Sequence, residues 1–383
     1  SMSPDLAADV ADARRRTLAL AGLLSDAQLV FPRLAIVNPP LWELGHVAWF
    51  QEKWVLRHAA GQAPLRADGD ALYDSAAIPH DTRWELALPD RAGTTAYLRE
   101  VEARVLALLA RGEADPYFVR LSVFHEDMHF EAMAFTRQTL GYGAPEPGDL
   151  VAQPALLGPG GRTAPGSGDL DEDVPIAGGA MLLGARRDEP FVFDNEKWAH
   201  PAGVAPFRIS RAPVSQARFA AFVEDGGYQR EELWSEAGWR WRRAVAADGP
   251  LYWERRRGEW TRRWFDRWVP IEPQRPMLHV CWYEAEAWCR WAGRRLPAEA
   301  EWEAAVDALT SGEVWEWTAS DFLPYPGFEP DPYREYSQPW FGTHKVLRGG
   351  SFATPRRLLR KTFRNFYTPD RRDPWAGFRT CAA

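Results

Sequence analysis

The chain has 383 residues, 46% hydrophobic and 26% charged, with a net charge of −7. That length suits two domains, and the acidic balance speaks against nucleic acid or an anionic membrane as the main partner. No apolar run approaches the roughly 20 residues of a membrane span, and three cysteines with no signal peptide at Ser1-Met2-Ser3 predict a cytoplasmic protein without a disulfide framework.

Four amphipathic runs rich in Ala, Leu, Arg and Glu open the chain: Leu6–Leu24, Leu41–His58, Thr95–Ala110 and Phe118–Leu140. Asn38-Pro39-Pro40 is a start signal for the second, and Thr94 is placed to cap the third. Four helices of this length predict an antiparallel bundle over residues 1–150, whose core is where bundles build metal sites. Helix breakers follow in quick succession, including Gly158-Pro159-Gly160-Gly161 and Gly166-Ser167-Gly168, and predict a linker over 151–175. From 176 to 383 short apolar segments alternate with turns: Gly179–Gly184, Phe207–Ser210 and Lys345–Ser351. Two helices stand out, Ser215–Asp225 and Trp282–Trp291, the second stopped by Gly293. Most of the 20 tryptophans fall in this half, which is therefore expected to be held by aromatic packing. The overall class is α+β.

His125-Glu126-Asp127-Met128-His129 is the stretch with the most chemistry. Leu121, Phe124, Met128 and Ala132 recur around it at helical spacing, so the two histidines share one helix face about a turn apart. His46 is the best third ligand. It interrupts the apolar run Leu41–Trp49, where an imidazole is costly unless a partner satisfies it, and Gly45 beside it allows close approach of another element. Neutral imidazoles suit iron, zinc or copper. Glu126 points off the ligand face, free to orient a ligand or to sit in a salt bridge. The string also fits H-E-x-x-H, in which Glu126 would activate water in a zinc peptidase. The arginines of the last 30 residues form a basic cluster, fit either for an anionic ligand or for salt bridges on a solvated face.

These motifs resemble a known family. A DinB-type four-helix bundle carrying Trp-x-Leu-x-His and His-x-x-x-His precedes a domain similar to the formylglycine-generating enzymes, which have a C-type-lectin-like fold. The second-domain motifs are Cys281–Cys289, Gly293–Glu303, Val314–Thr318, Pro324–Phe328, Leu347–Ser351 and Ala376–Arg379. The pairing looks like the ergothioneine-biosynthesis sulfoxide synthases and the related selenoneine synthases, which join a chalcogen to the imidazole C2 of hercynine (trimethylated histidine). The resemblance implies Fe(II) on His46, His125 and His129, with hercynine, a chalcogen donor and O2 as small-molecule substrates. It implies Tyr325 as catalytic proton donor, Asn365 reaching the hercynine carboxylate through water, and Phe366 and Tyr367 walling the trimethylammonium. Arg371, Arg372 and, more loosely, Arg83 match positions that hold the donor's carboxylate.

Three departures matter. No cysteine lies between Phe352 and Thr380, where formylglycine-generating enzymes carry their reactive pair, so thiolate chemistry is not expected. Met128 replaces a substrate-contacting Gln of many ergothioneine enzymes, and Tyr367 replaces an Asp. A less charged, more aromatic pocket suits a selenosugar donor, and the selenoneine branch is the preferred reading. The alternative is a sulfoxide synthase using γ-glutamylcysteine or cysteine. A non-catalytic binding module is the remaining class. Related domains bind calcium, but Asp188, Asp194, Asn195 and Glu196 read as a solvated loop.

Overall fold

The computed structural model describes residues 5–152 and 172–383. The glycine- and proline-rich stretch of the predicted linker, with Ser1-Met2-Ser3, lies outside the described residues. The chain divides into two compact units, one reaching Leu150 and including Pro355–Leu358, the other formed by the rest.

The first unit is helical. Helix α1 spans Leu6–Gly22, α2 spans Pro40–Gln51, α3 is the short Gly69–Tyr73, α4 spans Arg91–Ala110 and α5 spans Pro116–Leu140. α1 and α2 each pack on both α4 and α5. α2 begins at Pro40, where the missing N–H falls among the unpaired donors of a first turn. It runs on as a π-helix over Glu52–Ala59, which periodicity did not reveal. The predicted Thr94 cap is wrong. Asp90 caps α4 by accepting from Gly93 N at 2.8 Å, and Thr94 is a buried residue one turn inside. α5 is bounded as its sequence demands. Asp115 caps it and Pro116 opens it, while Gly141 ends it at φ +67°, a left-handed conformation that glycine adopts without strain.

The second unit carries two four-stranded sheets. One orders Asp173–Ile176, Phe207–Ser210, Cys381–Ala382 and Arg294–Arg295. The other orders Asn365–Tyr367, Lys345–Arg348, Trp315–Asp321 and Ala376–Phe378, its last pair parallel. The two foreseen helices are Gln216–Glu224, capped by Ser215, and Trp282–Ala292, stopped by Gly293. A three-stranded sheet over Trp253–Pro270 and helices Glu236–Ala244 and Glu299–Ala305 were not foreseen. Trp288, Trp317 and Trp375 are fully buried, as the tryptophan content led us to expect.

Aromatic packing is not all that holds this unit. Its C-terminal arginines are internal struts: Arg360 pairs with Glu196, Arg364 with Glu299, Arg372 with Glu284 and Arg379 with Glu316. The salt-bridge part of the reading of that basic cluster therefore holds for these residues, but the solvated face does not, since Arg364 and Arg379 are buried. The solvated-loop reading fails at Asp194, Asn195 and Glu196, which form a buried 3-10 turn; only Asp188 is exposed. Asp194 bonds Ser337, and Glu196 bonds Arg360 and Thr362.

Candidate metal centre

α2 and α5 face one another in the bundle and bring His46, His125 and His129 together. One ligating atom from each lies within 4.8 Å of the others. His46 and His125 are buried, whereas the His129 side chain is 22% exposed and gives the centre its open side. Burial, with the neighbouring His129, pushes the pKa of His46 and of His125 well below the usual value, so both rings are neutral.

The hydrogen bonds then fix which nitrogen faces inward. His46 Nδ1 lies 2.8 Å from the carbonyl of Tyr73, which can only accept, so Nδ1 carries the proton and Nε2 presents a lone pair. His129 Nδ1 lies 2.7 Å from Glu43 Oε1 and likewise donates outward. His46 Nε2 stands 3.2 Å from His125 Nε2. A buried cluster of inward lone pairs is the donor set a divalent transition metal completes, so the residues fit the expected iron. Stacking holds the rings: Trp42 lies 4.7 Å from His46 and Phe50 lies 3.6 Å from His125, both nearly parallel.

Gly45 makes room for this arrangement. A Cβ there would stand 2.2 Å from the ring of Tyr73, whose carbonyl holds His46. Gly45→Ala is expected to lower stability by about 1–3 kcal/mol, the usual range for overpacking. It should also weaken metal binding, and a thermal melt with a metal titration reads both.

The zinc-peptidase reading requires Glu126 to meet a metal-bound water. Instead Glu126 is buried and accepts from Arg14 Nε at 2.9 Å, while Arg14 also donates to Gln51 and to the carbonyl of Leu98. Asp127 is likewise committed, at 2.7 and 2.8 Å, to Arg357 in the short segment that belongs to this unit. The two acids between the histidines thus anchor α5 on its far side. Met128 sits half-buried on the same helix.

Arg83 is also internal to this unit. It donates to Asn38 at 2.7 Å and to the carbonyls of Ser75 and Ile78, with its guanidinium 4.1 Å from the Trp42 ring centre. It therefore supports the tryptophan that stacks on His46.

The remaining predicted residues lie in the second unit. Tyr325 is buried, donates to Glu299 at 2.7 Å and accepts from Arg348 at 3.1 Å. Burial and the adjacent Glu299 push its pKa above the usual tyrosine range. Asn365, Phe366 and Tyr367 form an edge strand of their sheet. Phe366 stacks on Phe322 at 4.2 Å, Asn365 Oδ1 accepts from Phe366 N, and the Arg371 guanidinium lies 5.2 Å from the Tyr367 ring centre. Arg371 makes two hydrogen bonds to Asp373, and Arg372 two to Glu284. All three cysteines are buried, and burial raises their pKa values, that of Cys381 to about 12. Sequence reasoning missed Glu43 and Tyr73. Glu43 did leave a signal, as an acid one helical turn before His46 in an otherwise apolar run.

Comparison with known proteins fits this two-part design. Residues 10–135 match the DinB superfamily, and residues 162–311 and 308–383 match the sulfatase-modifying factor enzyme 1-like domain. A hercynine oxygenase of Mycolicibacterium thermoresistibile is 35% identical, covering 98% of this chain and 94% of its own length. One from Mycobacterium tuberculosis is 34% identical, covering 98% of both chains. The formylglycine-generating enzyme of Streptomyces coelicolor is 35% identical over only 38% of this chain and 49% of its own. A helical bundle joined to such a domain, and matched along its whole length by oxygenases, defines an enzyme of the oxygenase type. The chain belongs to the hercynine oxygenase family. The peptidase and non-catalytic readings fall with that assignment. No described helix is long and apolar enough to cross a membrane.

Proposed function

We propose that this protein is a non-haem iron(II) enzyme that uses O2 to form a carbon–chalcogen bond at the imidazole C2 of hercynine. The observation that carries the proposal is the convergence of three inward imidazoles in a chain matched end to end by hercynine oxygenases. Iron(II), when bound, supplies the redox chemistry that lets O2 react with these substrates. His46, His125 and His129 hold it, with the partly exposed His129 marking the side open to substrate. With a thiol donor the stoichiometry closes. The C2–H and S–H bonds are lost, C–S and S=O bonds form, and the four electrons released reduce O2 to the sulfoxide oxygen and one water.

In the second unit Asn365 is assigned to the substrate carboxylate, with Phe366 and Tyr367 as aromatic walls for the trimethylammonium. Tyr325 is assigned the proton transfer, which requires its hydroxyl to leave Glu299. Tyr325→Phe is expected to slow or redirect the oxidation while the iron content stays full. An unchanged rate and product would leave Tyr325 only its structural hydrogen bonds.

The full-length match to hercynine oxygenases favours the sulfoxide-synthase reading, with γ-glutamylcysteine or cysteine as donor, over the selenosugar reading. One observation favours the selenosugar. The arginines expected to grip a donor carboxylate already have partners: Arg371 has Asp373, Arg372 has Glu284, and Arg83 has Asn38 and two backbone carbonyls. A sugar donor has no carboxylate to offer. Met128 and Tyr367, in place of Gln and Asp, agree with a less charged pocket. Anaerobic Fe(II) loading, then hercynine and O2 with γ-glutamylcysteine, cysteine or a selenosugar in separate reactions, decides the donor by mass spectrometry. No conjugate from any donor, despite bound iron, would overturn the substrate assignment.

A further inference from the structure

Glu43 is the carboxylate that meets the metal centre most directly. It lies on α2, one turn before His46, and its side chain is 2% exposed. Its Oε1 is 2.7 Å from His129 Nδ1, and among the described residues it makes no ion pair with lysine or arginine. A buried carboxylate is expensive unless something compensates its charge. The nearby positive group, Arg83, is turned to Asn38 and the Trp42 ring.

The three imidazoles are also held differently. His46 is oriented by a neutral carbonyl, His125 stacks on Phe50, and His129 faces a carboxylate. A carboxylate on the far nitrogen of a ligating imidazole fixes the tautomer and raises the basicity of the near one. It also places a compensating charge beside a cation in a low-dielectric site, where charge interactions are strong.

We propose that Glu43 is a positioning residue that makes His129 the strongest donor of the three, raising the affinity of the centre for a divalent ion and favouring the oxidised state of bound iron. The proposal rests on the metal-centre reading above. It treats Glu43 as an electrostatic element, not as a peg for ring orientation, and the two roles separate experimentally. Glu43→Gln keeps an oxygen able to accept from Nδ1 while removing the charge.

The test compares native protein, Glu43→Gln and Glu43→Ala by anaerobic titration with Fe(II) against a competing chelator. Co(II) serves as a visible-spectrum probe that needs no turnover, and the Fe(III)/Fe(II) midpoint potential is measured on the loaded proteins. Glu43→Gln is expected to bind Fe(II) about 10- to 100-fold more weakly, the range usual for such partners, and to show a higher midpoint potential with an unchanged circular dichroism spectrum. Glu43→Ala is expected to bind more weakly still; should it fail to fold, the glutamine variant alone decides. Native-like affinity and potential in Glu43→Gln would overturn the proposal. Native protein that binds neither ion would overturn the metal centre itself, so the two failures are distinguishable.

Discussion

Alanine at His46, His125 or His129 is expected to abolish iron binding and turnover in each single variant. Three protein ligands are the fewest that hold a catalytic metal in the common three-residue sites, and the geometry offers no replacement. Among the described residues, no other group of three or more His, Cys, Asp or Glu side chains is placed to share an ion. The acids nearest in sequence are committed elsewhere, Glu126 to Arg14 and Asp127 to Arg357. His125→Ala also removes the ring that stacks on Phe50 at 3.6 Å, so some loss of packing energy accompanies the loss of metal. A thermal melt of each metal-free variant separates the two effects. Iron content after anaerobic loading is the deciding measurement, and full occupancy in any variant would remove that histidine from the ligand set.

The grouping of the three histidines was legible because helical geometry is local. Two histidines four apart on an uninterrupted helix must share a face, and a histidine in an apolar run must find a partner. Of the two groups that hold the outer imidazole nitrogens, Glu43 left a signal in the sequence and Tyr73 left none. Tyr73 meets His46 through its backbone carbonyl, to which any residue type could contribute. The second unit's fold was read from specific motifs and not from periodicity, since its strands are short and its turns many. Arg357 shows the limit most plainly. Its partners Asp127 and Asp12 lie 230 and 345 positions away, and a single sequence carries no trace of that pairing. The same holds for Arg372, whose partner Glu284 lies 88 positions away, but not for Arg371, whose partner Asp373 is two residues on. The resemblance assigns both to a ligand's carboxylate, and in the fold they pair with Asp373 and Glu284.

Glu299→Ala is expected to destabilise the second unit by about 3–5 kcal/mol, the cost of stranding a buried charge. Such a loss is a large share of the roughly 5–15 kcal/mol typical of a folded protein. Glu299 is buried and accepts from Arg364 Nε at 2.6 Å, Arg348 Nη2 at 2.7 Å and the Tyr325 hydroxyl at 2.7 Å. Its removal deprives two buried guanidiniums of a shared carboxylate and, among the described residues, leaves Arg348 only Glu303 as a carboxylate partner. The pH dependence follows from the same contacts. Burial alone would raise the Glu299 pKa, but Arg364 and Arg348 outweigh it and hold the carboxyl at about 2, below its usual 4.5. A folded-state pKa depressed in this way contributes stability that is present above the unfolded value and is lost as pH falls from about 4.5 toward about 2. Urea melts at neutral pH and through that acid window should show the native protein weakening, with Glu299→Gln weaker at neutral pH and less sensitive to acid. An identical acid response in both proteins would mean that other carboxylates govern it. Tyr325 makes the outcome relevant to function, because the carboxylate that stabilises this unit is the one that holds the tyrosine hydroxyl. A role for Tyr325 in proton transfer therefore has to work against the same hydrogen bond whose loss these melts measure.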